Sequence, residues 1–250
     1  MSSQDLDNLR RAYSQMMMIR DNRGYNYQAA IHSIFCQHGQ RRIGSSMGLR
    51  LFLPWHRAYL YMFEQAAKDI VPDVFIPWWD WRSEASSTEG IPKAFTEQTI
   101  GGGTNPLAKA RIRIPVTVTD PPIDRETRRF PDDPSELPTS IIVEDALSKT
   151  DFGDFSDEME LIHNGVHVWV GGDMATTQFA GWDPIFWSHH SMIDRTWWLW
   201  QLRHGINNIP SELLDLELAP FPFTIRRVLS IHKLGYDYAG AVSTVRGNLG

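Results

Sequence analysis

Apolar residues recur at helical spacing toward both ends of the chain and lose that rhythm in the middle. Asp5 or Asp7 can cap a first helix running to about Arg20, and residues 25–35 read as a second, with Ala29, Ala30 and Ile34 on one side. A third begins at Pro54, a favoured first helical position, and continues through HRAYLYMFEQAAKDI until Pro72. Helical signal returns at 138–149, at roughly 155–169 and at 183–204, where Asp183 can cap and Pro184 takes the first turn. Residues 82–137 collect Gly101–Gly103, Pro106, Pro115, Pro121, Pro122, Pro131 and Pro134, and read as loop with one short strand at RIRIPVTVT. So long an irregular stretch is uncommon in a compact domain and is usually functional, so it is expected to frame a site or a partner surface. The pattern predicts a mainly α fold: an antiparallel helical bundle with a long irregular insertion and little β, in one domain over 1–250.

Composition narrows the function. The chain has 250 residues, 42% hydrophobic and 22% charged, enough for one large core. Lys+Arg 24 against Asp+Glu 30 gives a formal charge of −6, which offers no basic field for nucleic acid. No apolar stretch approaches the ~20 residues needed to cross a bilayer, because Arg57, Glu64, Asp80 and Asp194 interrupt the best ones. The N-terminus carries acids and arginines where a secretory leader would need a basic tip and an apolar run, so a cytoplasmic location is expected. A single cysteine, Cys36, excludes an internal disulfide framework and any four-thiolate cluster. Any metal ligands must therefore be histidines or carboxylates. The unusual counts are Trp 10 and His 9.

Six histidines sit on or beside the predicted core helices. His163 and His167 are four apart and share one helical face, where one ion can reach both. The zinc-protease arrangement needs Glu directly after the first histidine, and here that residue is Asn164. His189 and His190 are helical neighbours pointing about 100° apart, so one is a ligand candidate and the other a packing or supporting residue. Asp194, four residues after His190, can orient an imidazole or pair with an arginine such as Arg195. His32, His38 and His56 form a third group. Together the six suggest two three-histidine sites, a nitrogen-rich donor set that suits copper, zinc or iron. Trp55, Trp169, Trp187, Trp197, Trp198 and Trp200 flank the histidine helices and are expected to wall the ions from water.

At these residues the sequence resembles the tyrosinase, catechol oxidase and hemocyanin family of binuclear type-3 copper proteins. FLPWHRAYLYMFE is similar to the family's first-copper signature, HNGVHVWVGG and DPIFWSHHSMIDRTWW to that of the second, and Tyr236 and Tyr238 of GYDY to the Tyr-x-Tyr pair closing the catalytic core. The resemblance implies an antiparallel four-helix bundle holding two copper ions, with His32, His38 and His56 on the first and His163, His167 and His190 on the second. Many members place the middle ligand of the first site about nine residues before the histidine of PWHR, which here is Met47. Cys36-Gln37-His38 instead resembles the Cys-x-His of members that carry a cysteine–histidine thioether, with QRRIGSSMGLR as an inserted loop.

The resemblance further implies that Glu160 and Asn164 hold a water able to accept a phenol proton, and that Thr176 and Thr177 lie near the gate over the second copper. His189 is assigned a supporting role. The implied activity is ortho-hydroxylation of monophenols and oxidation of o-diphenols to o-quinones with dioxygen. Alternatives are a catechol or o-aminophenol oxidase without monophenolase activity, a non-enzymatic oxygen carrier and, last, a zinc hydrolase. The chain stops twelve residues after Tyr238, so no C-terminal shielding domain is expected; a separate partner could cover the site or deliver copper.

Overall fold

A computed structural model of the protein describes residues 1–36, 51–115, 117–119 and 121–240. Helix α1 (Ser3–Met16) starts on a capping box: Ser2 Oγ accepts from Asp5 N at 3.1 Å and Asp5 Oδ2 accepts from Ser2 N at 2.8 Å. The cap is thus Ser2 and not Asp5 or Asp7, because Asp5 sits at the third helical position, where its carboxylate reaches back. Helix α2 (Tyr25–Ile31) continues as a π-helical turn, His32–Cys36. Helix α3 (Phe52–Lys68) carries the PWHR motif, two residues longer at its start than Pro54 suggests.

The irregular insertion holds two short helices, α4 (Glu84–Glu89) and α5 (Lys93–Thr96), and two antiparallel hairpins. The first pairs β1 (Thr99–Ile100) with β2 (Gly103–Thr104), and the second pairs β3 (Arg111–Ile114) with β4 (Ile123–Glu126), with Ile112 opposite Arg125. Of the strand expected at RIRIPVTVT, only RIRI forms, with Ile112 buried; from Pro115, which has no N–H to give a ladder, the chain turns, Pro115 O accepting from Val118 N and Thr119 N. Then come α6 (Ser140–Ser148), α7 (Phe152–Val170), α8 (Pro184–His204), α9 (Ile225–Val228) and α10 (Ile231–Leu234).

The mainly helical architecture agrees with the pattern read from the sequence, and the turn at the end of α2 packs with α3, α7 and α8 around a common core. Helix α8 is buried on nearly every side, including Trp187, Trp197, Trp198 and Trp200. Its N-cap Asp183 accepts from Ile185 N at 3.0 Å and also takes the Arg129 guanidinium, whose Nη1 donates to Phe95 O at 2.6 Å. One ion pair therefore ties the insertion to the start of the central helix. Gly181 permits the turn before it to approach α2: a Cβ there would lie 2.8 Å from Ala29 O and 3.1 Å from His32 Cβ. Among the described residues, no helix is long and apolar enough to cross a membrane.

Candidate metal centre

The helical spacing that suggested ligands also delivers them. On α7, His163 and His167 project from one face, one turn apart, with ring centroids 4.4 Å apart. His190 of α8 enters between them, its Nε2 lying 3.3 Å from the Nε2 of each. Opposite, the π-helical turn places His32 and Cys36 beside His56 of α3, with one donor atom from each within 4.8 Å of the others. The two groups adjoin: the His56 and His190 rings stack 4.4 Å apart at 14°, and His56 lies 5.7 Å from His163. His38, the expected third ligand of the first group and thioether partner of Cys36, and Met47 lie outside the described residues.

Backbone carbonyls and one amide fix the tautomers. His56 Nδ1 donates to Phe52 O at 2.8 Å, His167 Nδ1 to Met174 O at 2.8 Å and His32 Nδ1 to Thr177 O at 3.0 Å. His163 Nδ1 donates to Asn164 Oδ1 at 3.1 Å. Each ring is thereby left with an Nε2 lone pair, the form that binds metals. Burial, reinforced for several rings by repulsion from neighbouring histidines, drives the histidine pKa values down, to about 3 for His56 and about 4 for His167, and well below the usual range for His32, His163 and His190. His163 and His167 both aim Nε2 lone pairs at His190 Nε2, 3.3 Å from each, which as a neutral ring can donate one hydrogen at most, so this buried trio is under-satisfied unless a cation lies among the rings. A donor set dominated by imidazoles, with one cysteine sulfur and no carboxylate, fits copper.

His189 occupies an unexpected place. The expected 100° separation does not remove it from the cluster: its ring stacks on His163 at 5.1 Å and 17°, and its donor lies within 4.8 Å of those of His163, His167 and His190. It is fully buried, and neither ring nitrogen makes a hydrogen bond among the described residues. His190 is the one whose Nε2 lies 3.3 Å from the Nε2 of both His163 and His167, and His189 brings a fourth donor to the same group.

Asp194 pairs with an arginine, as one of the two expectations had it, but the arginine is Arg57 and not Arg195. It contacts no histidine at hydrogen-bond distance and does not pair with Arg195, which lies over the Trp78 ring. Its Oδ1 instead meets Arg57, the arginine of PWHR, and its Oδ2 accepts the hydroxyls of Tyr236 and Tyr238 at 2.7 Å each. The reason is helical phase: Arg57 follows a ligand on α3 and Asp194 stands one turn beyond one on α8, so the pair clamps the helices behind the site. Arg57 is fully buried, lies over Trp197 and also donates to Gln201 Oε1 and Leu229 O at 2.9 Å.

The walls also differ from expectation. Of the six flanking tryptophans, Trp55 is the one whose ring meets grouped histidines, 4.9 Å from His56 and 6.3 Å from His32. Trp187 stacks on Phe63, and Trp200 on Phe155. The closest rings are Phe52, 4.9 Å from His56 and 4.8 Å from His163, and Phe186, 4.1 Å from His190 and 4.8 Å from His32. Both phenylalanines stand one helical turn before a histidine, a spacing visible in FLPWH and FWSHH. His204 bonds Leu147 O and His232 packs on Trp198, away from the centre.

At the rim, Asn164 and Thr176 are exposed and Thr177 is half-buried. Glu160 lies one turn before Asn164, with a buried Oε2 that makes no hydrogen bond among the described residues. Burial, aided by Asp157, pushes its acid up to about 7. Burial and the nearby Glu160 push the Cys36 thiol up to about 12.

Residues 22–203 match the family model described as the common central domain of tyrosinase. A tyrosinase of Streptomyces glaucescens is 30% identical over 93% of this chain and 94% of its own length. The A-type hemocyanin of Enteroctopus dofleini, units Ode to Odg, is also 30% identical over 94% of this chain, but the chain spans only 21% of that relative. A functional unit of octopus hemocyanin has a similar structure, with a TM-score of 0.77 and 28% identity over 96% of this chain and 66% of that one.

Proposed function

The chain belongs to the tyrosinase family, and from that membership we propose that it oxidises phenols with dioxygen, hydroxylating monophenols at the ortho position and carrying o-diphenols to o-quinones. Proteins of this family bind two copper ions, and the histidine groups described above fit them, with His32, His56 and the uncharted His38 on one ion and His163, His167 and His190 on the other. Copper bound there supplies dioxygen binding and electron exchange with the phenol.

The protein's own part begins with exclusion of water, to which Phe52, Phe186 and Trp55 contribute by packing on the imidazoles. The carboxylate of Glu160, through a water shared with Asn164, takes the phenol proton. The observation that carries this reading is the buried Glu160 Oε2, one turn before His163, which has no hydrogen-bond partner among the described residues. An acid near 7 is half ionised at neutral pH, the condition in which a general base works best. Asn164 spends its Oδ1 on His163, so its Nδ2 is the end that meets the water. Thr176 and Thr177, small and at the rim, form the gate through which the ring enters.

The likeness to hemocyanin supports a second reading, reversible oxygen binding without turnover, and a catechol or o-aminophenol oxidase would use the same ligands. A monophenol assay separates them. Quinone formed from tyrosine after a lag, and from its catechol without one, supports the proposal; turnover of the catechol alone supports the diphenol-only enzyme, and reversible oxygenation without quinone supports the carrier. A small phenol is the proposed substrate. A separate partner that shields or loads the site is proposed to dock near Asn164, where Leu161 and Val168 of α7 are exposed.

A further inference from the structure

One short segment serves both histidine groups. Met174 O holds His167 of the second group, and Thr177 O, three residues on, holds His32 of the first. A displacement of this segment moves the hydrogen-bond acceptor of one ligand in each group at once.

The segment is one 3₁₀ turn, Gly172–Ala175, followed by irregular backbone, and its position comes from the insertion. Asp173 is buried, and its two carboxylate oxygens take a two-pronged ion pair from Arg125 of β4, at 2.6 and 2.7 Å. Oδ2 also accepts from Arg128 N at 2.7 Å, and Asp173 N donates to Arg128 O at 2.9 Å. Phe130 N donates to Val170 O at 3.0 Å, and the Arg125 guanidinium lies over the Phe179 ring. Gly171 and Gly172, both at positive φ, allow the two strands to touch: a Cβ on Gly172 would lie 2.1 Å from Arg128 O. Residues 125–130 thus grip 170–179 from both sides of the carbonyls that orient the ligands.

We infer that Asp173 and Arg125 are positioning residues for both copper sites, a clasp by which the insertion sets the 174–177 carbonyls against His167 and His32. The inference rests on the family's two-copper centre and is independent of the substrate. Partners that orient metal-bound histidines typically contribute ten- to a hundredfold in metal affinity. Loosening the clasp therefore weakens both ions together, although neither residue touches a ligand ring.

The test is copper release from the copper-loaded protein into excess chelator, for the wild type, Asp173→Asn, Arg125→Ala and a comparator, Asn105→Ala. Asn105 is fully buried in the same insertion and bonds Ala94 O and Glu97 O, so its loss damages the insertion without touching the clasp. The expected result is that both clasp variants release two coppers at least about tenfold faster than wild type, while Asn105→Ala releases at the wild-type rate despite a comparable fall in melting temperature. Should Asp173→Asn fail to fold, Arg125→Ala, at the more exposed end of the pair, carries the test. Release at the wild-type or comparator rate, or acceleration of one copper only, overturns the inference. Failure of the wild type to bind two coppers would instead count against the family reading on which it rests.

Discussion

The Nε2 atoms of His163 and His190 face each other across 3.3 Å in the buried interior, although they belong to different helices, α7 and α8, and stand 27 residues apart. His163 commits its Nδ1 hydrogen to Asn164, so its Nε2 carries only a lone pair. A protein that keeps such rings neutral and aimed at one another is built to hold a cation there. His163→Ala is therefore expected to remove one copper per chain and to abolish turnover, read by metal analysis and quinone formation. Undiminished turnover in that variant contradicts the assignment.

Acid should act on the metal-free protein through the same rings. Their pKa values are lowered on folding, so their contribution to stability is complete above the ordinary histidine value of about 6.5 and is lost as pH falls toward the folded values, about 4 for His167 and about 3 for His56. The melting temperature of the copper-free protein is expected to fall steeply below pH ~6.5. A flat profile from pH ~6.5 to ~4 would show that these histidines are solvated in the folded chain.

Glu160 gives the opposite sign. Burial raises its pKa to about 7, so the neutral acid is the form favoured by the fold, its stabilising share is complete below the ordinary glutamate value and is lost as pH rises through about 7. The proposed base requires the ionised form. Monophenol kcat/KM is thus expected to climb about tenfold per pH unit below 7 and level above it, and Glu160→Gln is expected to lose that limb along with roughly 10²–10⁴-fold of the rate. An unchanged pH profile in Glu160→Gln removes the carboxylate from the mechanism.

Arg57 and Asp194 make a stability prediction separable from chemistry. Asp194→Ala leaves a fully buried guanidinium and two tyrosine hydroxyls without their acceptor, a loss on the order of 3–5 kcal/mol. Tyr236→Phe removes one neutral partner and is expected to cost about 1 kcal/mol. Denaturant unfolding of both variants checks the ranking. Equal, small effects would mean that the pair is solvated.

Cys36 carries the thioether proposal. Its sulfur lies 3.9 Å from His56 Nε2, inside the first histidine group, and burial suppresses the thiolate. The intact mass is expected to be two hydrogens below that of the sequence, with no thiol titratable after unfolding. One full thiol per unfolded chain contradicts the bond.

The helices that carry His56, His163, His167 and His190 were legible because burial imposes a 3.6-residue rhythm on α3, α7 and α8, and because His163 and His167 fall one turn apart within it. The role of Asp194 was not, since its partner Arg57 is 137 residues distant and nearer arginines compete on paper. Tryptophan abundance does not mark the walls of the site, because most of those rings pack elsewhere in the core, whereas Phe52 and Phe186 stand one turn before a histidine and so meet the imidazoles. The carbonyls of Met174 and Thr177 leave no sequence signature, because every residue has a carbonyl and only the fold decides where it points. The insertion's link to the site is hidden for the same reason: Arg125 and Asp173 are ordinary charges until the β3–β4 hairpin brings them together.

Copper content measured together with quinone formation on one purified preparation tests most directly whether the protein is a two-copper centre that oxidises phenols. Two coppers per chain with turnover of tyrosine is the predicted result. Two coppers that bind oxygen reversibly and yield no quinone from either a monophenol or its catechol would contradict it.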